Sequence, residues 1–356
     1  MNFADSGLTT CTNSPIIKSA YRWTKLQLQF MQRRNEVYMA NHNIQELATK
    51  VKENVGKVIV GKEDVVDLII IAMLCNGHIL LEDVPGTGKT VLAKSLAASI
   101  DCKFSRIQFT PDLLPSDVTG INFFNMKESE FEFIPGPVFS NILLADEINR
   151  ATPKTQSGLL ECMEEHQVTI DGKTTKLSDL FMVIATQNPL ENAGVFPLPE
   201  AQLDRFLIKM SMNYPRHSEG VQILKRFYHE NPLETLKPVA TIDDVMKCQE
   251  ELKHIYIHDD VLSYIVDITE STRGSDSVAL GASPRGSQSL MRVSQGFAGI
   301  AGRDYVSPDD VKKAAPHVLA HRLILKSSAK LEAGAAEAVI QEIVDKVPVP
   351  TEDYTN

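Results

Sequence analysis

The stretch LLEDVPGTGKTVLAKSLA, residues 80–97, constrains this chain more than any other. An apolar, strand-like run meets a helix-like run across Pro85-Gly86-Thr87-Gly88-Lys89-Thr90. Glycines at such a junction let backbone N–H groups turn inward around phosphate oxygens, and the following helix aims its positive end at the anion. Lys89 is placed to reach β/γ-phosphates and Thr90 to ligate Mg²⁺. Pro85 through Thr90 and Val91 are the expected nucleotide-binding residues. One position departs from the GxxxxGK[ST] pattern: Asp83 stands where the first glycine belongs. That position shapes the turn and does not touch phosphate, so it is expected to tolerate the change.

From Asn43 to about Tyr214 helix and strand alternate. Helices are expected over 43–55, 62–76 and 89–100, and strands in CNGHILLE, FSRIQF, NILLAD, FMVIAT and FLIKM. The strands are short and apolar on both faces, the pattern of a parallel sheet covered on both sides. Hairpin-like insertions are expected at 124–139 and at 166–177, the second turning at Asp171-Gly172. After Tyr214-Pro215 the pattern is helical: 217–230, 242–254, 259–272, 286–301, 308–320 and 334–345. The organisation read from this is an extension at 1–42, an α/β nucleotide-binding domain at 43–214, a helical domain at 215–350 and a tail at 351–356. The extension holds the only tryptophan, Trp23, and no acid between Asp5 and Glu36. It is expected to be dispensable, with a natural start at Met39, because Asn43-Ile44-Gln45-Glu46 has the form of a capping box.

Four further segments carry chemistry. NILLADEINR (141–150) is an apolar strand ending in Asp146-Glu147; the first carboxylate can hold Mg²⁺ and the second can polarise an attacking water. FMVIATQNP (181–189) brings Asn188 to the end of another strand, where an uncharged amide can orient that water. LPEAQLDRF (198–206) places Arg205 just before the last strand, suited either to a surface pair with Asp204 or Glu200 or to a neighbour's ATP as an arginine finger. GASPRGSQSL (281–290) puts Arg285 in the first turn of a helix, where the dipole disfavours a cation unless an anion is shared; the γ-phosphate is the expected anion. No Asn-Lys-x-Asp occurs, so adenine is preferred over guanine, with Ile59 and Val60 as packing for the ring.

These segments in this order resemble the AAA+ ATPases, and more closely the MoxR family, over residues ~43–350. DVPGTGKT looks like Walker A, LLADEINR like Walker B, ATQNP like the first sensor, LPEAQLDRF like the finger segment and SPR like the second sensor. PDLLPSDVTG (111–120) and FPLPEAQLDRF add phrases similar to MoxR proteins. The resemblance implies a five-stranded αβα domain with a helical lid, ATP and Mg²⁺ at a ring interface, and a ring of identical subunits, expected to be a hexamer. It implies an ATP hydrolase in which Lys89, Glu147, Asn188 and Arg205 are catalytic, Thr90 and Asp146 hold the metal, and Lys89 and Arg285 clamp the phosphates from two domains. Arg150 or Arg273 is the alternative residue acting across the interface. It further implies chaperone-like remodelling, maturation or activation of partner proteins, including ones with von Willebrand A-type domains.

Composition narrows the partners. A net charge of −10 argues against a nucleic-acid-coating surface, and five scattered cysteines without a CxxC pair suit a reducing cytosol. The longest apolar run, Leu68–Cys75, is far short of the ~20 residues that span a bilayer, so a cytoplasmic protein without a transmembrane segment is expected. Two readings compete with the remodeller: a nucleic-acid motor or magnesium-chelatase-like subunit, and a nucleotide-gated adaptor with little turnover.

Overall fold

Period-two burial along the strands explains why the chain forms a covered sheet. Ile79, Leu81, Ile142, Leu144, Met182 and Ile184 point into one apolar core. Their alternates Leu80, Leu143, Ala145, Val183 and Ala185 point into a second core on the opposite face. The computed structural model describes residues 43–188, 194–228, 231–326 and 334–350; the expected extension and tail lie outside these residues.

Helix α1 (43–56) and helix α2 (Glu63–Leu74) precede β1 (Ile79–Glu82), α3 (Lys89–Ile100) and β2 (Phe104–Gln108). A short α4 (Pro115–Thr119) leads into a hairpin, β3 (Gly120–Asn125) and β4 (Glu130–Pro135). Strand β5 (Ile142–Asp146), helix α5 (Pro153–Glu165), a second hairpin of β6 (Gln167–Ile170) and β7 (Lys173–Lys176), then β8 (Met182–Gln187), α6 (Glu200–Leu203) and β9 (Ile208–Met210) follow. The main sheet has five strands in the order β2-β5-β8-β1-β9, all parallel. The first hairpin begins earlier than expected, at Gly120, because Gly120 to Asn125 pair with Pro135 to Glu130. The second turns at Asp171-Gly172, both with positive φ, as its dipeptide implies. Helix α5 is absent from the helices expected from sequence. Its buried stripe starts with polar Thr155 and Gln156 before Leu159, Leu160, Cys162 and Met163, so its apolar periodicity is half hidden.

Beyond β9 the chain is chiefly helical: α7 (His217–Phe227), α8 (Ile242–Leu252), α9 (Asp259–Gly274), α10 (Pro284–Ile300), α11 (Pro308–Leu319) and α12 (Ala335–Lys346). A small antiparallel pair, β10 (Val278–Leu280) and β11 (Ile324–Leu325), is the one pair of strands among the described residues here. At the start of α11 the Ser307 hydroxyl and N–H both donate to Asp310.

The helical region does not form a separate core. Helix α2 is buried from Leu68 to Leu74, the behaviour of a helix that is apolar all round. Its core is continuous with that of α8 to α12. Helix α10 crosses it closely: a Cβ added at Gly296 would lie 2.4 Å from Ile71 Cγ2. A second tie runs through Arg322, whose Nε donates to Asp204 Oδ1 at 2.7 Å and whose Nη2 donates to the Phe206 carbonyl at 2.8 Å. The Arg322 side chain is 2% exposed, so its charge depends on those partners.

Overpacking at the α2–α10 crossing should cost ~1–3 kcal/mol, more than the ~1 kcal/mol by which a glycine weakens a helix. Gly296→Val is therefore expected to lower the urea unfolding midpoint. A midpoint equal to or above that of the wild type would show that the two helices are not in close contact.

Candidate nucleotide site

Parallel register brings the expected catalytic residues to one edge of the sheet. Strand β8 lies between β1 and β5, pairing Glu82 with Gln187 and Ala145 with Ala185. The loop after Glu82, the Asp146-Glu147 pair and the Thr186-Gln187-Asn188 segment therefore leave the sheet side by side. The Asp83 N–H donates to the Gln187 carbonyl at 3.1 Å, extending the β1–β8 ladder into the loop.

Within the loop, Gly86 and Gly88 have φ of 84° and 94°, and an added Cβ at either would meet nothing within 4 Å. Backbone conformation, not space, requires glycine there. Gly88 is the N-cap of α3, so Lys89 and Thr90 start the helix. Lys89 Nζ folds back over the loop and donates to the carbonyls of Asp83 and Val84 at 3.1 and 3.2 Å. Asp83 is buried. Its Oδ1 accepts from Val84 N–H at 2.8 Å and its Oδ2 from Met212 N–H at 3.2 Å. The residue that breaks the glycine pattern thus braces the loop entrance against the end of β9. Pro85 is exposed, while Thr87 and Val91 are half-buried.

The two carboxylates are oriented by a threonine. Thr186 Oγ1 donates to Asp146 Oδ1 at 2.6 Å and accepts from the Glu147 N–H at 2.9 Å. Arg106 Nη2 donates to the other Asp146 oxygen at 2.7 Å. Glu147 is left-handed, with φ 56° and ψ 51°, a conformation in which a residue other than glycine stores strain and which clusters at functional sites. Its Oε2 accepts from Gln108 Nε2 at 2.7 Å and pairs with Arg150 Nε at 3.0 Å. Arg106, Gln108 and the hydroxyl of Thr186 were not singled out in the sequence. The available signal was the alternation of Arg106 and Gln108 on β2, next to the strand that ends in Asp146. Asn188 is buried directly after β8.

Oxygen donors suit Mg²⁺, and Asp146 and Thr90 supply a carboxylate and a hydroxyl. The donor types suit the ion, and Asp146 would hold it by sharing or exchanging its present partners, Arg106 on Oδ2 and Thr186 on Oδ1. Val60 is buried and Ile59 half-buried. Arg226 Nη1 of α7 donates to the Gly56 carbonyl at 2.5 Å, closing α7 over this segment. Beside it a cleft of about 860 Å³ opens between the sheet edge and the helical region, lined by Gly61, Lys62, Glu82, Tyr214, Arg216 and His317 among others.

Arg205 and Arg285 are not brought to this edge. Arg205 Nη2 lies 3.1 Å from Glu164 Oε2, and Arg285 Nη2 donates to Glu164 Oε1 at 2.7 Å. Glu164 sits near the end of α5, which runs back from the Asp146 edge. The preceding residue, Met163, has its carbonyl 3.0 Å from Nε2 of His78, immediately before β1. The loop follows the other end of that four-residue strand, a span of ~13 Å at ~3.3 Å per residue. The expected clamp of one phosphate by Lys89 and Arg285 is not assembled in this structure: Lys89 holds the carbonyls of Asp83 and Val84, and Arg285 holds Glu164, toward opposite ends of β1. Arg205 pairs with neither Asp204 nor Glu200; Arg322 holds Asp204 instead. Of the alternatives, Arg150 lies on its own Glu147 and Arg273 Nε donates to the Ala282 carbonyl within the helical region.

Comparison with known proteins accounts for both regions. Residues 78–208 match the ATPase family associated with various cellular activities (AAA), and residues 270–343 match the AAA lid domain. The chain is 51% identical over 310 residues to YeaC of Bacillus subtilis, covering 87% of this chain and 97% of that one. It is 39% identical to chaperone MoxR1 of Mycobacterium tuberculosis, covering 87% and 83%. It is 28% identical to protein MoxR of Methylorubrum extorquens, covering 86% and 96%. A solved structure from Cytophaga hutchinsonii, proposed to be an ATPase, superposes with a TM-score of 0.83 at 38% identity, covering 91% of this chain and 100% of that chain. A helical lid on a parallel five-stranded sheet, a phosphate loop of Walker type and these relatives agree: the chain belongs to the MoxR family of AAA ATPases.

Proposed function

We propose that this protein hydrolyses ATP with Mg²⁺ in a ring of identical subunits and uses the cycle to remodel partner proteins. The observation that carries this reading is the division of charged groups between two edges of one sheet. Lys89, Thr90, Asp146, Glu147 and Asn188 share the edge where the loop can hold a triphosphate. Arg205 and Arg285 share the other edge on Glu164, which supports a role for them on the nucleotide of an adjoining copy. Mg²⁺, when bound by Thr90 and Asp146, would neutralise phosphate charge. Lys89 would exchange its loop carbonyls for β/γ-phosphate oxygens, a charge-assisted contact in place of neutral ones. Glu147, once freed from Gln108 and Arg150, would take a proton from the attacking water, with Asn188 orienting that water. Arg205 and Arg285 from a neighbour would meet the charge that develops on the γ-phosphoryl group.

A chaperone among the relatives supports remodelling as the output, and the net charge of −10 favours protein clients over nucleic acid. Ring closure at six subunits and clients with von Willebrand A-type domains complete the proposal. The client-facing elements would be the two hairpins, of which β3–β4 exposes Phe123, Phe124 and Phe131.

Lys89→Ala is expected to abolish binding of a fluorescent ATP analogue. Glu147→Gln should bind it with near-normal affinity yet hydrolyse ATP at least ~10²-fold more slowly, the contribution typical of a general base. Normal turnover by Glu147→Gln would remove Glu147 from the reaction. Arg205→Ala is expected to reduce the steady-state rate by ~10³ or more while leaving ATP binding intact. A loss of binding without a loss of rate at saturation would contradict a role in the transition state.

A further inference from the structure

One carboxylate serving two guanidinium groups from different parts of the chain is an unusual division of charge. Arg205 belongs to the segment just before β9, and Arg285 to the first turn of α10. Each approaches a different oxygen of Glu164, at 3.1 and 2.7 Å. Asp204 is no competitor for them, since its Oδ1 accepts from Arg322 and its Oδ2 from Ser283 Oγ at 3.4 Å. The group of three therefore carries one uncompensated positive charge. All three side chains are accessible: 34% for Glu164, 30% for Arg205 and 47% for Arg285.

We propose that Glu164 is a latch: it parks both arginines in the separate subunit and gives them up when an adjoining copy presents its nucleotide. This rests on the reading of Arg205 and Arg285 as residues that act on a neighbour's phosphates. Half-exposed ion pairs are weak, so an incoming polyphosphate can outbid Glu164 for the guanidinium groups. Arg285 has a further reason to leave, because a helix N-terminus disfavours a cation unless an anion shares it. Glu164 supplies that anion until a phosphate does. The hydrogen bond from Arg285, followed by the charges of both arginines, holds the Glu164 carboxyl below the usual carboxylate range, so the latch is charged at neutral pH. Because Arg285 is on α10 and Glu164 on α5, opening the latch also releases one tie between lid and nucleotide domain. Engagement of the finger and loosening of the lid become one event. Glu164 is on this account a positioning residue, one that never touches substrate.

The test uses the full chain and reads assembly as well as rate. Glu164→Gln keeps the side chain's shape but removes its hold on the two cations. With a non-hydrolysable ATP analogue, sedimentation is expected to show the oligomer forming at about fivefold lower protein concentration than for the wild type. The protein concentration giving half-maximal ATPase should fall in parallel. Glu164→Asp, too short to span both arginines, should shift both quantities in the same direction by less, and it serves if the glutamine variant folds poorly. Assembly at an unchanged or higher concentration in these variants would overturn the latch and leave Glu164 as a strut between lid and sheet. Wild-type turnover by both Arg205→Ala and Arg285→Ala would remove the reading beneath it, and the latch with it.

Discussion

Parallel pairing of β5, β8 and β1 decides where chemistry can occur in this chain. Strands that run the same way must release their following loops at the same edge. The register then sets the phosphate loop, the Asp146-Glu147 pair and Asn188 within a few residues of one another. Thr186 refines this by binding the Asp146 carboxylate and the Glu147 N–H with one hydroxyl. The same rule dictates what the site lacks. A helix that follows a parallel strand returns to the opposite edge, so α5 carries Glu164 away from the loop, and the arginines it binds go with it.

Both edges combine fixed contacts with exchangeable ones. At the loop edge Asp83 is buried against Val84 and Met212 and the Glu147 backbone is left-handed, while the Glu147 and Lys89 side chains rest on contacts that they can exchange. At the far edge the pairs are half-exposed and exchangeable. Buried contacts hold the shape of the loop, and exchangeable pairing suits side chains proposed to change partners at either edge. Buried Arg322 shows the contrast within the same neighbourhood, since its five-donor fork is occupied by fixed protein acceptors and it acts as a tie, not a switch.

Much of this was legible in the sequence, for physical reasons. Strands covered on both faces must be continuously apolar, so the five runs from CNGHILLE to FLIKM identified the sheet, and the glycine loop identified its functional edge. Helix α5 was less legible because Thr155 and Gln156 occupy its buried face. Gln108 and Arg106 were missed because their importance comes from pairing with β5, a contact created only by the sheet order. Arg285 is the most instructive case. Its place in a helix's first turn asks for a shared anion; Glu164, 121 residues away in the chain, is the one that this structure brings to it. Sequence reports the need for a partner; topology supplies it.

The central claim is that no single copy of this chain holds a complete hydrolytic site. Mixing two inactive variants tests it directly: Glu147→Gln, defective at the loop edge, with the double variant Arg205→Ala/Arg285→Ala, defective at the far edge. If the site is shared, random co-assembly should restore hydrolysis at about a quarter of head-to-tail interfaces, so the mixture regains activity that neither component has. A mixture as inactive as its parts, in rings shown to contain both, would place the arginines and the loop in the service of the same subunit and contradict the account.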